Sequence, residues 1–451
     1  MIKDILGDIR SKDCIKIVMF GAGELGQEIF REAKRFGFYY LVAVDRYQDT
    51  PAGRIADKEY TFNMLNGDAM KSVVYKEQPD IIIPEIEAIN TDTLVELEEE
   101  GYFVVPNARA TKICMNRKLI RKLIDKKAGV KTSKYEFAST DDPKEFKDAV
   151  EKIGSPCFSK AIMSSSGKGS YFIKEENDIE KAREHAIKGA RGKGNEVIIE
   201  EYIDFDTEVT ELATRFDGGT LFPYPIGHYQ LDGDYHSSWQ GKIEEYLPYL
   251  PELKKYDEKL ALEAKKKIFE AAGKITEALG GVGVFGVELF VRVKDNKVEI
   301  YGNECSPRPH DTGMVTYINH LPGLSEGGLH LKAISGRIIP YEEENGFKVI
   351  KPLGNAATHV IKSPVEGHGL KYDIGDAEKY GELYIFGKPF SYSFEDRVNG
   401  FIEEERMGVA LSQGRSVYEA KLNAEKAAHS IKIGDGKRWY GQKEKEMHLL
   451  K

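Results

Sequence analysis

Ile15-Lys16-Ile17-Val18-Met19-Phe20-Gly21-Ala22-Gly23-Glu24-Leu25-Gly26 sets the architecture of this chain. Six mostly apolar residues run into closely spaced glycines, and a helical pattern follows over residues 25–36. That order reads as buried strand, tight turn, helix. Working outward, residues 40–44 form a second apolar run ending in Asp45, and residues 80–84 and 103–105 read as further buried strands. A helix over residues 91–100, capped by Thr91 and stopped by Gly101, separates the last two. Strands alternating with helices imply an α/β unit with a parallel, doubly wound sheet. It is expected to span residues 1–111.

Gly21 to Gly26 fits G-x-G-x-x-G, and Asp45 stands about 20 residues on, at the end of the next strand. This is the context of a dinucleotide site, with Asp45 on a ribose hydroxyl. The glycines themselves guarantee less. They provide a tight turn and backbone N–H groups at a helix N-terminus, which suit any phosphate. At this point a nicotinamide oxidoreductase and another phosphate-binding protein both remain open.

The chain has 451 residues, 41% hydrophobic and 31% charged, enough apolar material for three domains. Its formal net charge of −9, with no dense basic stripe, argues against a nucleic-acid partner. No apolar run reaches the roughly 20 residues of a membrane span, and the charged N-terminus lacks a signal-peptide pattern. A cytoplasmic protein is the expectation. Cys14, Cys114, Cys157 and Cys305 are far apart and form no CxxC pair, so they read as buried thiols.

A second region, residues 112–340, mixes strands with longer helices, the longest over residues 257–279 and stopped by Gly280-Gly281. A lid subdomain is expected over about residues 125–205. Residues 342–345 read as a polar link to a third, β-rich region, residues 341–451. That region has strands at 358–362 and 383–386, a helix at 416–431, and a polar tail after Gly434.

Ser164-Ser165-Ser166-Gly167-Lys168-Gly169-Ser170 lies between two apparent strands, 157–161 and 170–174. It is not a Walker A loop, because Ile162 takes the first glycine position and Gly169 follows Lys168. A hairpin loop of this composition can fold over a triphosphate, offering backbone N–H groups and one ammonium, with Lys160 supplying a second. The bland alternative is an exposed Ser/Gly linker. Val197-Ile198-Ile199-Glu200-Glu201 is an apolar strand running into carboxylates, with Glu208 soon after. Such a strand end can meet an adenine edge and ribose hydroxyls, although buried strands often end in Glu.

Gly286-Val287-Glu288-Leu289-Phe290-Val291 alternates, so Glu288 points away from Val287 and Leu289. The turn Lys294-Asp295-Asn296-Lys297 returns the chain through Val298 to Glu304, bringing Glu288 and Glu304 to the same end of one sheet. Two such carboxylates repel unless a cation sits between them. Hard oxygen ligands suit Mg²⁺, which commonly takes one or two carboxylates plus substrate phosphates. The plain alternative is a pair of solvated edge glutamates. Ser306-Pro307-Arg308-Pro309-His310-Asp311 follows, and prolines on either side of Arg308 aim its guanidinium at one place, apt for charge on a moving phosphoryl group. His310 by itself reads as a packed histidine.

Several segments resemble the formate-dependent phosphoribosylglycinamide formyltransferases, ATP-grasp ligases of purine biosynthesis. They are GAGELGQE (21–28), VDRY (44–47), IIPEIEAI (82–89), VVPNARATK (104–112), MNR (115–117), MSSSGKG (163–169), FGVELFV (285–291), NECSPRPHDTGMVT (303–316), FGKP (386–389) and MGVALS (407–412). The resemblance runs in register from about Cys14 to Gly414. It implies a Rossmann-like N-terminal domain, a central ATP-grasp domain with a small lid, a small β-rich C-terminal domain, and a homodimer. It implies ATP and Mg²⁺, two ions being expected, with neither folate nor NAD.

By resemblance, Glu24, Leu25, Glu85, Asp311, Lys388 and Arg406 hold glycinamide ribonucleotide. Arg117, Lys160, Ser165, Ser166, Gly167, Lys168, Gly169, Ser170, Glu200, Glu201, Tyr202, Ile203 and Glu208 contact ATP. Glu288 and Glu304 ligate the metal. The implied mechanism phosphorylates formate, with Lys160, Lys168 and Arg308 neutralising the moving charge and the Gly167 loop as a lid. The amine then attacks the formyl carbon, and Asp311 is a candidate base by position. One departure stands out. After Pro389 roughly a dozen extra residues intervene, and the pair that the resemblance implies as two arginines reads Glu405-Arg406. Arg397 could replace the missing cation; a different acceptor amine is the alternative. A nicotinamide oxidoreductase would leave Lys160, the Gly167 loop, Glu288 and Glu304 without a role.

Overall fold

The computed structural model describes residues 6–163, 169–190, 194–231, 233–243, 258–391, 394–396, 401–403 and 405–442. The first sheet is wholly parallel. It is built from β1 (Ile15–Phe20), β2 (Tyr39–Asp45), β3 (Lys58–Thr61) and β4 (Ile81–Pro84), in the order β3-β2-β1-β4. β1 is buried on both faces, which is why it reads as an almost unbroken apolar run. Ile17 and Met19 pack beneath Ile29, Phe30 and Ala33 of the helix Glu24–Phe36, while Val18 and Phe20 face Met70, Val74 and Leu94. Leu331 and Ile334, from the helix Glu326–Ile334, complete the first of these layers, so the central region is packed into the N-terminal core.

Two local expectations are corrected. Residues 103–105 form no strand; Val104 makes one isolated bridge to Ile82, the chain turning into the Val105-Pro106 step immediately after. The helix Thr91–Glu99 is capped by Asn90, whose side chain accepts the Thr93 N–H at 3.0 Å, rather than by Thr91, which is already its first helical residue.

Four antiparallel strands form a separate small sheet: β5 (Tyr135–Ser139), β6 (Cys157–Ala161), β7 (Ser170–Ile173) and β8 (Glu196–Glu201), ordered β5-β8-β6-β7. Phe146, Val150, Ala182 and Ala186 of two helices cover one face and give it a core of its own. The large sheet is organised around β9 (Thr207–Phe216). Along one edge β9 pairs with β13 (Gly283–Lys294), which pairs in turn with β14 (Lys297–Ser306). Its other edge is shared, by β10 (Gly219–Pro223) near its end and by β11 (Ile226–Leu231) near its start. The helix Glu258–Leu279 lays Ile268, Ala272 and Ile275 on the core beneath.

Residues 342–345 are not a free link. β15 (Glu342–Glu344) and β16 (Phe347–Ile350) form a hairpin, and β16 joins β10 in parallel. β12 (Asp234–Gln240) pairs with β17 (Asn355–Lys362), which continues to the strands Arg406–Gly414 and Glu382–Ile385. Hydrogen bonding is therefore continuous across residue 340. The expected boundary at residue 111 likewise falls inside the helix Ala108–Cys114. Among the described residues, no helix is long and apolar enough to cross a membrane.

Candidate active site

A cavity of about 1020 Å³ opens where the first sheet, the small sheet and the large sheet meet. Its N-terminal wall is the glycine turn. Gly21 has φ +96°, and a Cβ there would lie 2.7 Å from Glu85 Oε2. A Cβ on Gly26 would lie 2.6 Å from Met19 Cε, the movable end of a flexible side chain. Asp45 uses both carboxylate oxygens on the backbone, accepting the Ala22 N–H at 2.8 Å and the Arg46 N–H at 2.7 Å. It thus braces the turn. Glu24 and Leu25 line the cavity at the start of the helix, and Glu85 lines it from the end of β4.

The small sheet supplies the opposite wall. Lys160 on β6 places Nζ 3.0 Å from Glu200 Oε2, and Arg121 places Nη2 2.6 Å from Glu200 Oε1. Burial alone would raise the Glu200 carboxyl, but the two cations hold it below the usual range. Glu201, Tyr202, Ile203 and Ser170 also line this wall, with Glu201 3.8 Å from Lys134. Gly169 is not a lining residue; its carbonyl accepts the Ala161 N–H at 2.9 Å and closes the hairpin. Ser165, Ser166, Gly167 and Lys168 lie outside the described residues.

The floor carries the paired carboxylates. Glu288 on β13 and Glu304 on β14 are direct cross-strand partners, with an irregularity just after Glu288. Glu304 Oε1 accepts from Arg117 Nε at 2.9 Å, while Arg117 Nη1 donates to the Ala161 carbonyl at 2.9 Å. Burial works to raise the Glu304 carboxyl, yet Arg117 and Lys160 hold it at about 2. Glu288 Oε1 lies 2.9 Å from His310 Nε2, and against the effect of burial this contact keeps its carboxyl below the ordinary value. Glu208 sits 3.4 Å from His228 Nε2, and ligand atoms of Glu208, His228 and Glu288 all lie within 4.8 Å of one another. Two carboxylates and an imidazole grouped in this way could hold a divalent cation.

Arg308 is paired with Glu87. Its Nε is buried with no hydrogen-bond partner among the described residues, a donor that an anionic oxygen would satisfy. At the far end, Arg406 Nη1 donates to Asp311 Oδ2 at 2.6 Å, and Asp234 lies between Arg406 (3.7 Å) and Lys362 (2.7 Å). Lys388 Nζ is 2.5 Å from Glu405 and 3.5 Å from Glu24. Arg397 lies outside the described residues.

The structure therefore gathers around one cavity every described residue of the expected site except Gly169. It adds some that sequence reading missed. Arg121 stands four residues after Arg117, a helical spacing that could have drawn attention to it. His228, Glu87 and Asp234 carry no local signal. They meet Glu208, Arg308 and Arg406 only through long-range packing.

Residues 14–115 match the ribonucleotide synthetase preATP-grasp domain and residues 123–321 the ATP-grasp domain. The fold resembles N5-carboxyaminoimidazole ribonucleotide synthetase from Thermotoga maritima, with TM-score 0.71, 23% identity, and 93% and 99% of the two chains covered. It also resembles a structure described as glycinamide-RNase-transformylase T from Mycobacterium tuberculosis, with TM-score 0.67, 24% identity, and 92% and 99% covered. With its small antiparallel sheet facing the large one, the chain carries an ATP-grasp domain, and ATP-grasp enzyme is the class of this protein.

Within that class the sequence is more specific. It is 47% identical over 460 residues to the formate-dependent phosphoribosylglycinamide formyltransferase of Pyrococcus abyssi, covering 99% of each chain. It is 47% identical over 424 residues to that of Methanocaldococcus jannaschii, covering 94% and 98%. The chain belongs to the formate-dependent phosphoribosylglycinamide formyltransferase family.

Proposed function

We propose that this enzyme ligates formate to the amine of glycinamide ribonucleotide at the expense of ATP, a step of purine biosynthesis. The observation that carries this reading is the single cavity joining Lys160, the Glu288–Glu304 pair, Arg308 and the Gly21 turn. The residues expected to hold nucleotide, metal, formate and ribonucleotide keep the roles set out above as part of this proposal. So does the three-part division of the chain, with the homodimer, the cytoplasmic location and two Mg²⁺ ions.

Glu288 and Glu304 would hold Mg²⁺, which supplies charge neutralisation to nucleotide phosphates when bound. Lys160, steered by Glu200, faces the same phosphates from the small sheet. Arg308 binds the carboxylate substrate and the anion formed from it, positioned by Glu87 and the two prolines. A formate oxygen takes the terminal phosphoryl group of ATP and ADP is the leaving group, giving formyl phosphate. The acceptor amine then attacks the formyl carbon and phosphate departs. Phosphoryl transfer of this kind asks the protein for positioning and charge more than for covalent help. Water must be kept from the acyl phosphate, which it would hydrolyse.

Because Glu405 already neutralises Lys388, a second reading is another phosphoribosyl amine as the acceptor. The deciding assay follows ADP release with ATP, Mg²⁺ and formate, with and without glycinamide ribonucleotide. Release that requires both substrates and yields formylated product supports the first reading. Formate-dependent release indifferent to the ribonucleotide rejects it and keeps the ligase chemistry with another amine. Release without formate removes the carboxylate assignment.

A further inference from the structure

Glu85 follows the end of β4 and is buried against the glycine turn, with Oε2 where a side chain at Gly21 would otherwise be. The other carboxylates lining the cavity are engaged by a cation, a histidine or backbone N–H groups, as described above. Glu85 is the exception: among the described residues it has neither a hydrogen bond nor an ion pair to its carboxylate. It faces the cavity beside Arg308, the guanidinium suited to the acyl group. An open carboxylate next to an acyl site is placed to take a proton.

We propose that Glu85 is the general base that accepts the proton of the attacking amine, an inference that rests on the formyl-transfer reading. In that step the nitrogen lone pair forms the N–C bond, and the C–O bond to phosphate breaks with its electron pair leaving on phosphate. One N–H proton passes to a Glu85 oxygen. Asp311, the candidate by position, is poorly suited, because Arg406 at 2.6 Å holds it ionised and below the usual carboxylate range against the effect of burial. For Glu85, burial lifts the carboxyl to about 8, with Arg308 opposing and Glu24, Asp45 and Glu87 reinforcing. A base of that strength matches an α-ammonium group such as that of a glycyl amide.

The test separates the two half-reactions of the full-length enzyme. Hydroxylamine traps acyl phosphate formed from ATP and formate, while formylated ribonucleotide reports the second step. General-base catalysis contributes about 10²–10⁴-fold. Glu85→Gln is therefore expected to lower kcat for formyl transfer at saturating acceptor at least about 100-fold more than it lowers hydroxamate formation. Glu85→Asp should recover part of that loss. A Glu85→Gln enzyme with unchanged kcat and only a raised acceptor KM would leave Glu85 with its binding role alone and overturn the proposal. Loss of both half-reactions would overturn it too, assigning Glu85 a structural role. Wild-type enzyme that traps acyl phosphate yet formylates no glycinamide ribonucleotide would instead refute the acceptor reading itself.

Discussion

Glu405 lies 2.5 Å from Lys388 Nζ, so a substrate phosphate bound there, as proposed, would meet an ammonium that already has a counter-ion. Glu24 and Glu405 raise the hold of Lys388 on its proton against burial, and the cation persists at any working pH. Replacing the carboxylate by a cation, Glu405→Arg, should lower the acceptor KM about tenfold, roughly 1.4 kcal/mol, and leave the KM for ATP unchanged. Initial-rate kinetics decide it; an unmoved acceptor KM would place Glu405 away from the phosphate. Glu304 is a different case. Arg117 and Lys160 keep it ionised, so Glu304→Gln removes the charged oxygen proposed to hold Mg²⁺ without changing shape. Mg²⁺-dependent turnover should fall at least about 100-fold while the far-UV circular dichroism stays that of wild type, a large loss of the kind expected where charge stabilisation carries catalysis.

Elements, rather than single residues, explain why β9 has a buried acid with nothing to do. Alternation sends Glu208 and Thr210 toward His228 on the cavity side, and Val209, Glu211 and Ala213 toward the helix-covered core. Neither Glu211 oxygen has a hydrogen-bond partner among the described residues, and burial pushes its carboxyl well above the usual value of 4.5. The folded state thus keeps a proton that the unfolded chain releases near 4.5. The contribution of this group to stability is full below that pH and is lost as pH rises toward the higher folded value. Glu211→Gln removes the titration. Its Tm advantage over wild type should widen as pH rises above the usual carboxylate value of 4.5 in thermal scans, and a gap independent of pH would show that Glu211 is ionised and paired.

On the scale of the whole molecule, the large sheet runs across residue 340, the boundary proposed between the second and third parts. β16 hydrogen-bonds β10 and β17 hydrogen-bonds β12, so a chain ending at residue 340 would expose two strand edges that are normally paired. Such a fragment is expected to aggregate or to unfold without cooperativity in circular dichroism melts. A monodisperse fragment melting as one transition would restore an independent third domain. The N-terminal sheet is bound in the same way, through Leu331 and Ile334 packing into its core. The cavity is made of three parts that no single segment could build.

Sequence by itself determined what local physics controls. The β1 strand and its glycine turn were legible because burial on both faces leaves an apolar run and positive φ at Gly21 demands a glycine. The Glu288–Glu304 pairing was legible because alternation and the Asp295-Asn296 turn, with φ +52° and +56°, specify a hairpin register without distant help. The cap at Asn90 was missed because Thr91 is an equally good capping residue, and backbone geometry alone chose between them. Only tertiary structure decided the partners: His228 for Glu208, Glu87 for Arg308, Asp311 for Arg406, and, among the described residues, none for Glu85. Charge pairing across a cavity depends on distances between segments remote in sequence, and those distances exist only after the three sheets have packed.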